Sequence, residues 1–337
     1  MNFYWGKVNL KIGHKGEDNM LQEKIELLQK RREILQLNFV DISNKEWLYM
    51  LGEETRNSIM IEGIFVDEDE LSDALVGKYR SASHVVNYFR TAKFFYNLAI
   101  ELYKSNENYP CVAVVKTTHK MLFDGIIKPQ KLGMFRVGRI KITGAKIEPP
   151  EYDIDGWIRL WCAYTEYVYF HHPIYEATAR SHVLFESIHP FEDGNGRIGR
   201  ILLNFYLLKN GYINITIKGV DQSERTKYIT ALEKAEEGIR NIFKHSPKDF
   251  TPEDLDKMFT KEQTKKLSSL IFEQLIRAID NYICSTEEMI DVNEASKVLG
   301  IKPDSVLKMI KRGKLIATKK GKKWWIAKKY VKLLIAG

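Results

Sequence analysis

The chain has 337 residues, 44% apolar, 12% aromatic and 28% charged, a mix that excludes a largely disordered protein and supports two or three globular units with a sizeable core. No uncharged apolar run approaches the ~18 residues that span a bilayer, and the first residues (MNFYWGKVNLKIGHKGED) hold no signal-peptide apolar stretch, so no membrane partner is expected. The net charge of +8 is unevenly placed: residues 301–337 hold twelve Lys or Arg and one acid, Asp304, which leaves 1–300 slightly acidic. A near-neutral body thus carries a basic C-terminal module, the kind of block that faces an anionic polymer or surface. Cys111, Cys162 and Cys284 form no CxxC or Cys/His pattern, so neither a disulfide framework nor a zinc site is indicated, and a reduced, cytoplasmic protein is expected.

In chain order the body reads as helical. Leu21, Ile25, Leu28 and Leu35 recur at helical spacing in a charged stretch, which predicts an amphipathic N-terminal helix. Ser43-Asn-Lys-Glu46 is a capping-box pattern ahead of Trp47, Leu48, Met50 and Leu51, so a second helix starts there. Helical patterns follow over 70–105 and 112–125. The period then changes: Phe135, Val137, Ile140 and Ile142 alternate with Arg136, Arg139 and Lys141, which predicts a short β-hairpin closed by Pro149-Pro150. Helical patterning returns from about 154 to 242. Residues 244–256 (KHSPKDFTPEDLD) hold two prolines and many turn formers and read as a linker, followed by a bridging helix at about 261–283. In the last module Asp291-Val-Asn-Glu294 opens a short helix ending at Gly300, a second runs from Pro303 to Arg312, and Leu315–Ile326 reads as a hairpin.

One stretch carries chemistry: His189-Pro-Phe-Glu-Asp193-Gly-Asn-Gly-Arg197-Ile-Gly-Arg200. Gly194, Gly196 and Gly199 match GxGxxG literally, but no apolar strand precedes them and no well-placed acid follows about 20 residues on, so a dinucleotide fingerprint is rejected. The residues suit an anion-binding loop between two helices instead. Pro190 ends the first helix, the glycines let the backbone turn with its amides exposed, and the next helix points its positive end at whatever the loop holds. Arg197 and Arg200 in that helix's first turn oppose its dipole unless an anion sits there, and phosphate suits guanidinium groups. Asp193 beside phosphates calls for a bridging divalent cation such as Mg²⁺. His189 just upstream is placed as a general base.

HPFEDGNGRIGR fills every defining position of the Fic motif, HxFx[D/E]GNGRxxR, and the resemblance extends over about 109–245. Gly133-Met-Phe-Arg136 and the segment to Pro150 resemble the family's flap, and Arg225, Tyr228 and Leu232 its later helices. The resemblance implies a mostly α fold, a helical core with a small β-hairpin flap, and transfer of AMP from ATP to a Ser, Thr or Tyr hydroxyl of a protein. By the same resemblance His189 is the base, Asp193 holds Mg²⁺ (or Mn²⁺), Gly194, Asn195 and Gly196 hold the α-phosphate, and Arg197 and Arg200 engage the β- and γ-phosphates. Phe191 anchors the loop in the core. Phe135, Val137, Ile140 and Ile142 of the flap offer an edge on which a target segment docks by β-augmentation. Ser58-Ile-Met-Ile-Glu62-Gly63 resembles the inhibitory pattern [S/T]xxxE[G/N] of one Fic class, which implies that Glu62 pairs with Arg200 and displaces the γ-phosphate. Some members with such a glutamate also remove AMP.

Residues 285–337 resemble an excisionase- or MerR-like winged helix-turn-helix. Ala295, Leu299, Val306 and Ile310 form its core, Ser305, Lys308 and Lys311 approach the major groove, and Lys319 and Lys322 on the wing meet phosphates. One of Trp324 and Trp325 is expected to be buried in the wing. The expected division is an N-terminal helical region (1–108) with its inhibitory helix around 45–62, the Fic core (109–245), a linker and bridging helix (246–284), and the winged module (285–337). Partners are ATP, a target protein or the chain itself, DNA, and a second copy in a homodimer. Two other readings stand beside this: a DNA-binding regulator whose Fic core senses nucleotide, and transfer of another group such as UMP or phosphocholine.

Overall fold

The computed structural model describes residues 15–36, 45–66, 68–78, 83–109, 111–142 and 145–336, with side chains described at all of these except 15–20, 68 and 334–336. The helices of the body are α1 (Lys15–Leu35), α2 (Lys45–Ile61), α3 (Glu68–Leu75), α4 (His84–Ser105), α5 (Cys111–Phe123), α6 (Ile154–His171), α7 (Ile174–Ile188), α8 (Asn195–Lys209), α9 (Gln222–Ala235), α10 (Pro252–Met258) and α11 (Lys261–Thr286). The C-terminal module follows as β1 (Met289–Asp291), α12 (Val292–Leu299), α13 (Pro303–Lys311), β2 (Ala317–Lys320), β3 (Lys323–Ala327) and α14 (Lys328–Ala336).

The core forms where α6, α8 and α11 pack around α7, which is buried continuously from Tyr175 to Ile188, with α4 packed on α8. α7 shows no face to solvent although it carries Glu176, Arg180, His182 and Glu186, because neighbouring helices enclose it on every side. Trp157, Trp161, Phe185 and Phe205 fill this core. Helix starts carry the side chains that satisfy their free amides: Ser83 accepts from Val86 N, Asp221 from Ser223 N and Glu224 N, and Thr251 and Thr260 form capping boxes. The capping box expected at Ser43 lies outside the described residues. On α1, Leu28 and Leu35 are buried and Leu21 and Ile25 half-buried, as their spacing predicts.

Four features differ from the sequence expectation. Beyond the loop expected at Pro190, the helical stretch expected over 154–242 is also broken at Pro173 and over 210–221, where Ile213, Ile215 and Ile217 are buried in non-helical chain. The segment read as a linker is a packed corner: Asp256 of α10 accepts from His172 Nε2 (2.9 Å) and Arg180 (2.9 Å), and Leu255 is fully buried. Its prolines sit at first-turn positions of a 3-10 turn and of α10, where a missing N–H costs nothing. The hairpin expected near 135–143 has no strand among the described residues. Finally, Cys111 and Cys162 are disulfide-bonded, because α5 begins alongside the middle of α6 with Cα atoms 6.0 Å apart. The expectation of unpaired cysteines is overturned. Reduction opens a loop with a sequence separation of 51 and is expected to lower stability by roughly 4 kcal/mol, read from urea melts with and without a dithiol. Three titratable thiols in the unfolded, unreduced chain would rule the bond out.

The C-terminal module is a three-stranded antiparallel sheet in the order β1-β3-β2, with α12 and α13 against it. Asp291 caps α12 through Glu294 N, and Gly300 ends it in the left-handed region. Ala295, Val306 and Ile310 are buried as expected and Leu299 packs against them; Ile290, Leu315, Ala317, Ile326 and Val331 complete the core. Trp324 and Trp325 are each half-buried, so neither is sealed in the wing. The module leans on the body through Arg31 of α1. This buried guanidinium pairs with Asp280 of α11 (2.5 Å) and donates to the carbonyls of Gly313 (2.8 Å) and Leu315 (3.2 Å).

Candidate active site

α7 ends at His189, whose φ of 51° puts a non-glycine residue in the left-handed region. Its N–H still bonds Phe185 O (3.1 Å), and Pro190 prevents another helical turn. The loop that follows is held from inside. Phe191 is fully buried and stacks on His119 (4.2 Å between centroids), which stacks on Phe123 (4.8 Å). Asn195 clamps the loop with both ends of its amide: Phe191 N donates to Oδ1 and Nδ2 donates to Phe191 O, each at 2.9 Å. The side chain expected on the α-phosphate is thus bonded to the loop's own backbone. Gly194, at φ 82°, lies where a Cβ would sit 2.4 Å from the Phe123 ring. The first amides of α8 have no intrahelical partner, an arrangement suited to receiving an anion.

Arg197 and Arg200 are both buried and go to different partners. Arg197 donates to His84 Nδ1 (2.8 Å) and pairs with Asp193 (3.3 Å), its guanidinium 4.9 Å from the Phe123 ring centre. Arg200 donates through Nε to Ser58 Oγ (2.7 Å) and through one amino group to Ser58 O (2.9 Å) and Glu62 Oε1 (2.5 Å). The Glu62 carboxylate lies over the start of α8: a Cβ on Gly196 would come within 2.4 Å of Glu62 Oε1. Gly63, at φ 77°, turns the chain away just after it. Asp193 is 71% exposed at its side chain and is the carboxylate here that a cation could use. Among the described residues no group of three or more His, Cys, Asp or Glu forms a metal cage.

Burial holds the His189 imidazole below its ordinary value, reinforced by the Arg136 charge and only partly offset by the Glu186 carbonyl, Glu62 and Asp193. Beneath the site, burial pushes Glu186 up to about 8 and His182 down to about 3, with the Arg200 charge acting against the first shift and with the second. His182 Nε2 meets Tyr228 OH at 2.7 Å. Glu54 anchors α2 beside α8 by accepting from Tyr88, Tyr96 and Asn214, and burial raises it to about 7. Asn57 adds a second anchor, accepting from Gly219 N (2.9 Å) and Val220 N (3.2 Å).

The four flap residues do not share a face. Phe135 packs on Phe191 (5.3 Å) and Ile142 against the core, Ile140 is half-buried, and Val137 is 98% exposed. Alternation in the sequence recorded polarity, but Arg136, expected on the polar side, is buried. Its guanidinium donates to Gly138 O, Pro150 O, Ile188 O and His189 O. This role was not expected from the sequence; its signal there is one arginine in an apolar run next to a glycine turn. In the C-terminal module Lys308 and Lys311 of α13, with Lys319 of β2 and Lys322 in the turn after it, are exposed, while Ser305 is half-buried.

A helical core presenting a histidine, a glycine loop and two buried arginines at one helix start defines a class, and comparison with known proteins agrees. The Fic/DOC family model matches residues 109–207, and a helix-turn-helix domain model matches 289–337. Over 304 residues the chain is 34% identical to the "Probable protein adenylyltransferase aq_aa38" of Aquifex aeolicus, covering 86% of this chain and 89% of that one. It is 32% identical over 139 residues to the protein adenylyltransferase Fic of Culex quinquefasciatus, which is 39% of this chain and 26% of that protein. Among solved structures the fold matches a Fic domain-containing signaling protein from Bacteroides thetaiotaomicron (TM-score 0.57, 19% identity, 77% of this chain, 97% of that one). It also matches Fic-1 (aa134–508) from C. elegans (TM-score 0.55, 16% identity, 80% and 74%). The chain belongs to the Fic/DOC family.

Proposed function

We propose that the protein transfers AMP from ATP to hydroxyl groups of proteins, its own included, and that Glu62 restrains it. The observation that carries this reading is the His189 imidazole beside a helix start that holds two buried guanidinium groups. The hydroxyl of a target Ser, Thr or Tyr gives its proton to His189 as its oxygen attacks the α-phosphorus. The bond from that phosphorus to the bridging oxygen breaks, and pyrophosphate leaves. The amides of 194–196 hold the α-phosphate, and Arg197 and Arg200 neutralise the charge on the leaving phosphates. One exposed carboxylate suits Mg²⁺, or Mn²⁺, which binds through one or two carboxylates and substrate phosphates; Asp193 would hold it, and it would supply further charge neutralisation. The Arg200–Glu62 pair occupies the guanidinium meant for the γ-phosphate, so ATP meets a restrained site. Incubation with ATP labelled at the α- or the γ-phosphate tests the transfer: label enters protein from the α-position only. Label from the γ-position would make the protein a kinase and overturn the reading.

The exposed lysines of the C-terminal module support a second part of the proposal, binding of duplex DNA by 285–337. No helix among the described residues is long and apolar enough to cross a membrane. Replacing Lys308 and Lys311 with Gln is expected to weaken duplex binding at all sequences and to reduce the slope of log affinity against log salt by about 2. Fluorescence anisotropy of the full chain across a salt series checks this, and an unchanged slope would assign the module to protein contacts.

A further inference from the structure

The last carbonyls of a helix have no intrahelical donor and carry the negative end of its dipole. At the end of α7 those groups belong to the residues on which transfer depends, and their donor comes from a distant segment. Arg136 Nε donates to His189 O (2.7 Å), and one amino group reaches Ile188 O (3.0 Å) and Pro150 O (2.8 Å). The other reaches Gly138 O (2.6 Å), within the flap itself. The Arg136 backbone N–H adds a bond to Pro190 O (2.9 Å), and the neighbouring Phe135 rests on Phe191. Residues 135–138 are therefore bound to 188–191 by main-chain, guanidinium and ring contacts together.

Arg136 is 5% exposed, and none of its bonds goes to a carboxylate. A buried guanidinium without a counter-charge is an expensive way to brace a loop, since burial disfavours its charge and pushes it down to about 10. Its planar fork can meet several carbonyls in one plane, which an ammonium cannot. Val137, next in the chain, is fully presented to solvent where a target segment would lie.

We propose that Arg136 is a positioning residue for the transfer reaction: it locks the backbone of His189 and the flap into one body, so that a hydroxyl docked along Val137 meets the imidazole in a fixed geometry. This rests on His189 being the base. The groups that set the protonation of His189 are the Glu186 carbonyl on α7, Arg136 on the flap, Glu62 after α2 and Asp193 in the loop. Arg136 opposes the protonated form. Removing its charge therefore favours imidazolium and moves the acid limb of the rate profile to higher pH.

The test uses the full chain in a Glu62→Gly background, with Arg136→Met and Arg136→Lys added separately. Both variants are expected to lose about 10²-fold in kcat through misplacement of the base, with KM for ATP unchanged and the chain still folded at the assay temperature. The acid limb moves up in Arg136→Met only, because Lys keeps the charge while losing the fork. Unchanged kcat in either variant overturns the proposal, as does an unmoved limb in Arg136→Met. Parallel loss of ATP binding and kcat in both variants also overturns it, making Arg136 a determinant of the fold alone. His189→Ala in the same background separates the two ideas: transfer that survives there removes the base assignment, and this proposal with it.

Discussion

Replacing Glu62 with glycine is expected to raise self-modification by on the order of 10²-fold. The figure follows from the pair it breaks. Arg200 is buried and held by Ser58 and Glu62 together, and breaking such a pair costs about 3–5 kcal/mol. Glu62 is 30% exposed at its side chain, so the lower end applies, about 3 kcal/mol or two decades in rate. Under the proposed restraint, every productive turnover of the wild type would first draw Arg200 away from the carboxylate, whereas in the variant Arg200 would be free for phosphate. The loss of the Glu62 side chain also clears the space above Gly196. Initial rates of label transfer from α-labelled ATP, compared at equal ATP occupancy, give the ratio directly. Equal rates for the two proteins would show that Glu62 imposes no restraint.

His189→Ala in the Glu62→Gly background is expected to lower transfer by about 10²–10⁴-fold, the range for loss of a general base, while ATP still binds. The pH dependence carries a sign. Burial and the Arg136 charge hold the imidazole below its ordinary value, so at pH 7 it is already neutral and ready to take a proton. The rate should therefore be flat between about pH 7 and 8 and fall only below the ordinary histidine value of about 6.5. A limb above that value would mean that another group supplies the base. Binding of ATP by calorimetry distinguishes a lost base from a collapsed loop.

The role of Glu62 depends on how firmly α2 is docked. Glu54, Ser58 and Glu62 recur every fourth residue and so share one face, the face on α8. Glu54 and Asn57 make the docking bonds, to Tyr88, Tyr96 and Asn214 and to the amides of 219 and 220. The six-residue pattern ending in Gly63 identified the last turn of this helix; the anchors two turns earlier came only with the neighbours they bond.

What could be read from residue order is what short-range chemistry controls. The segment from His189 to Arg200 encodes its own turn, because Pro190, Gly194 and the helix start act on adjacent residues, and the clamp by Asn195 spans only four positions. The caps at Asp291 and Gly300, and the two helices of the C-terminal module, are equally local. The remainder depends on residues brought together from far along the chain. Cys111 and Cys162 meet because α5 and α6 lie side by side, and no spacing rule predicts that. Arg136 reaches His189 across 53 positions and Asn214 reaches Glu54 across 160. Period-two alternation at 135–142 recorded which side chains are polar, but not what the segment packs on. Tertiary packing decided that: the Arg136 backbone N–H and guanidinium bond the carbonyls of 188–190 and Phe135 rests on Phe191, so residues 135–138 are tied to the end of α7 and not to a neighbouring strand.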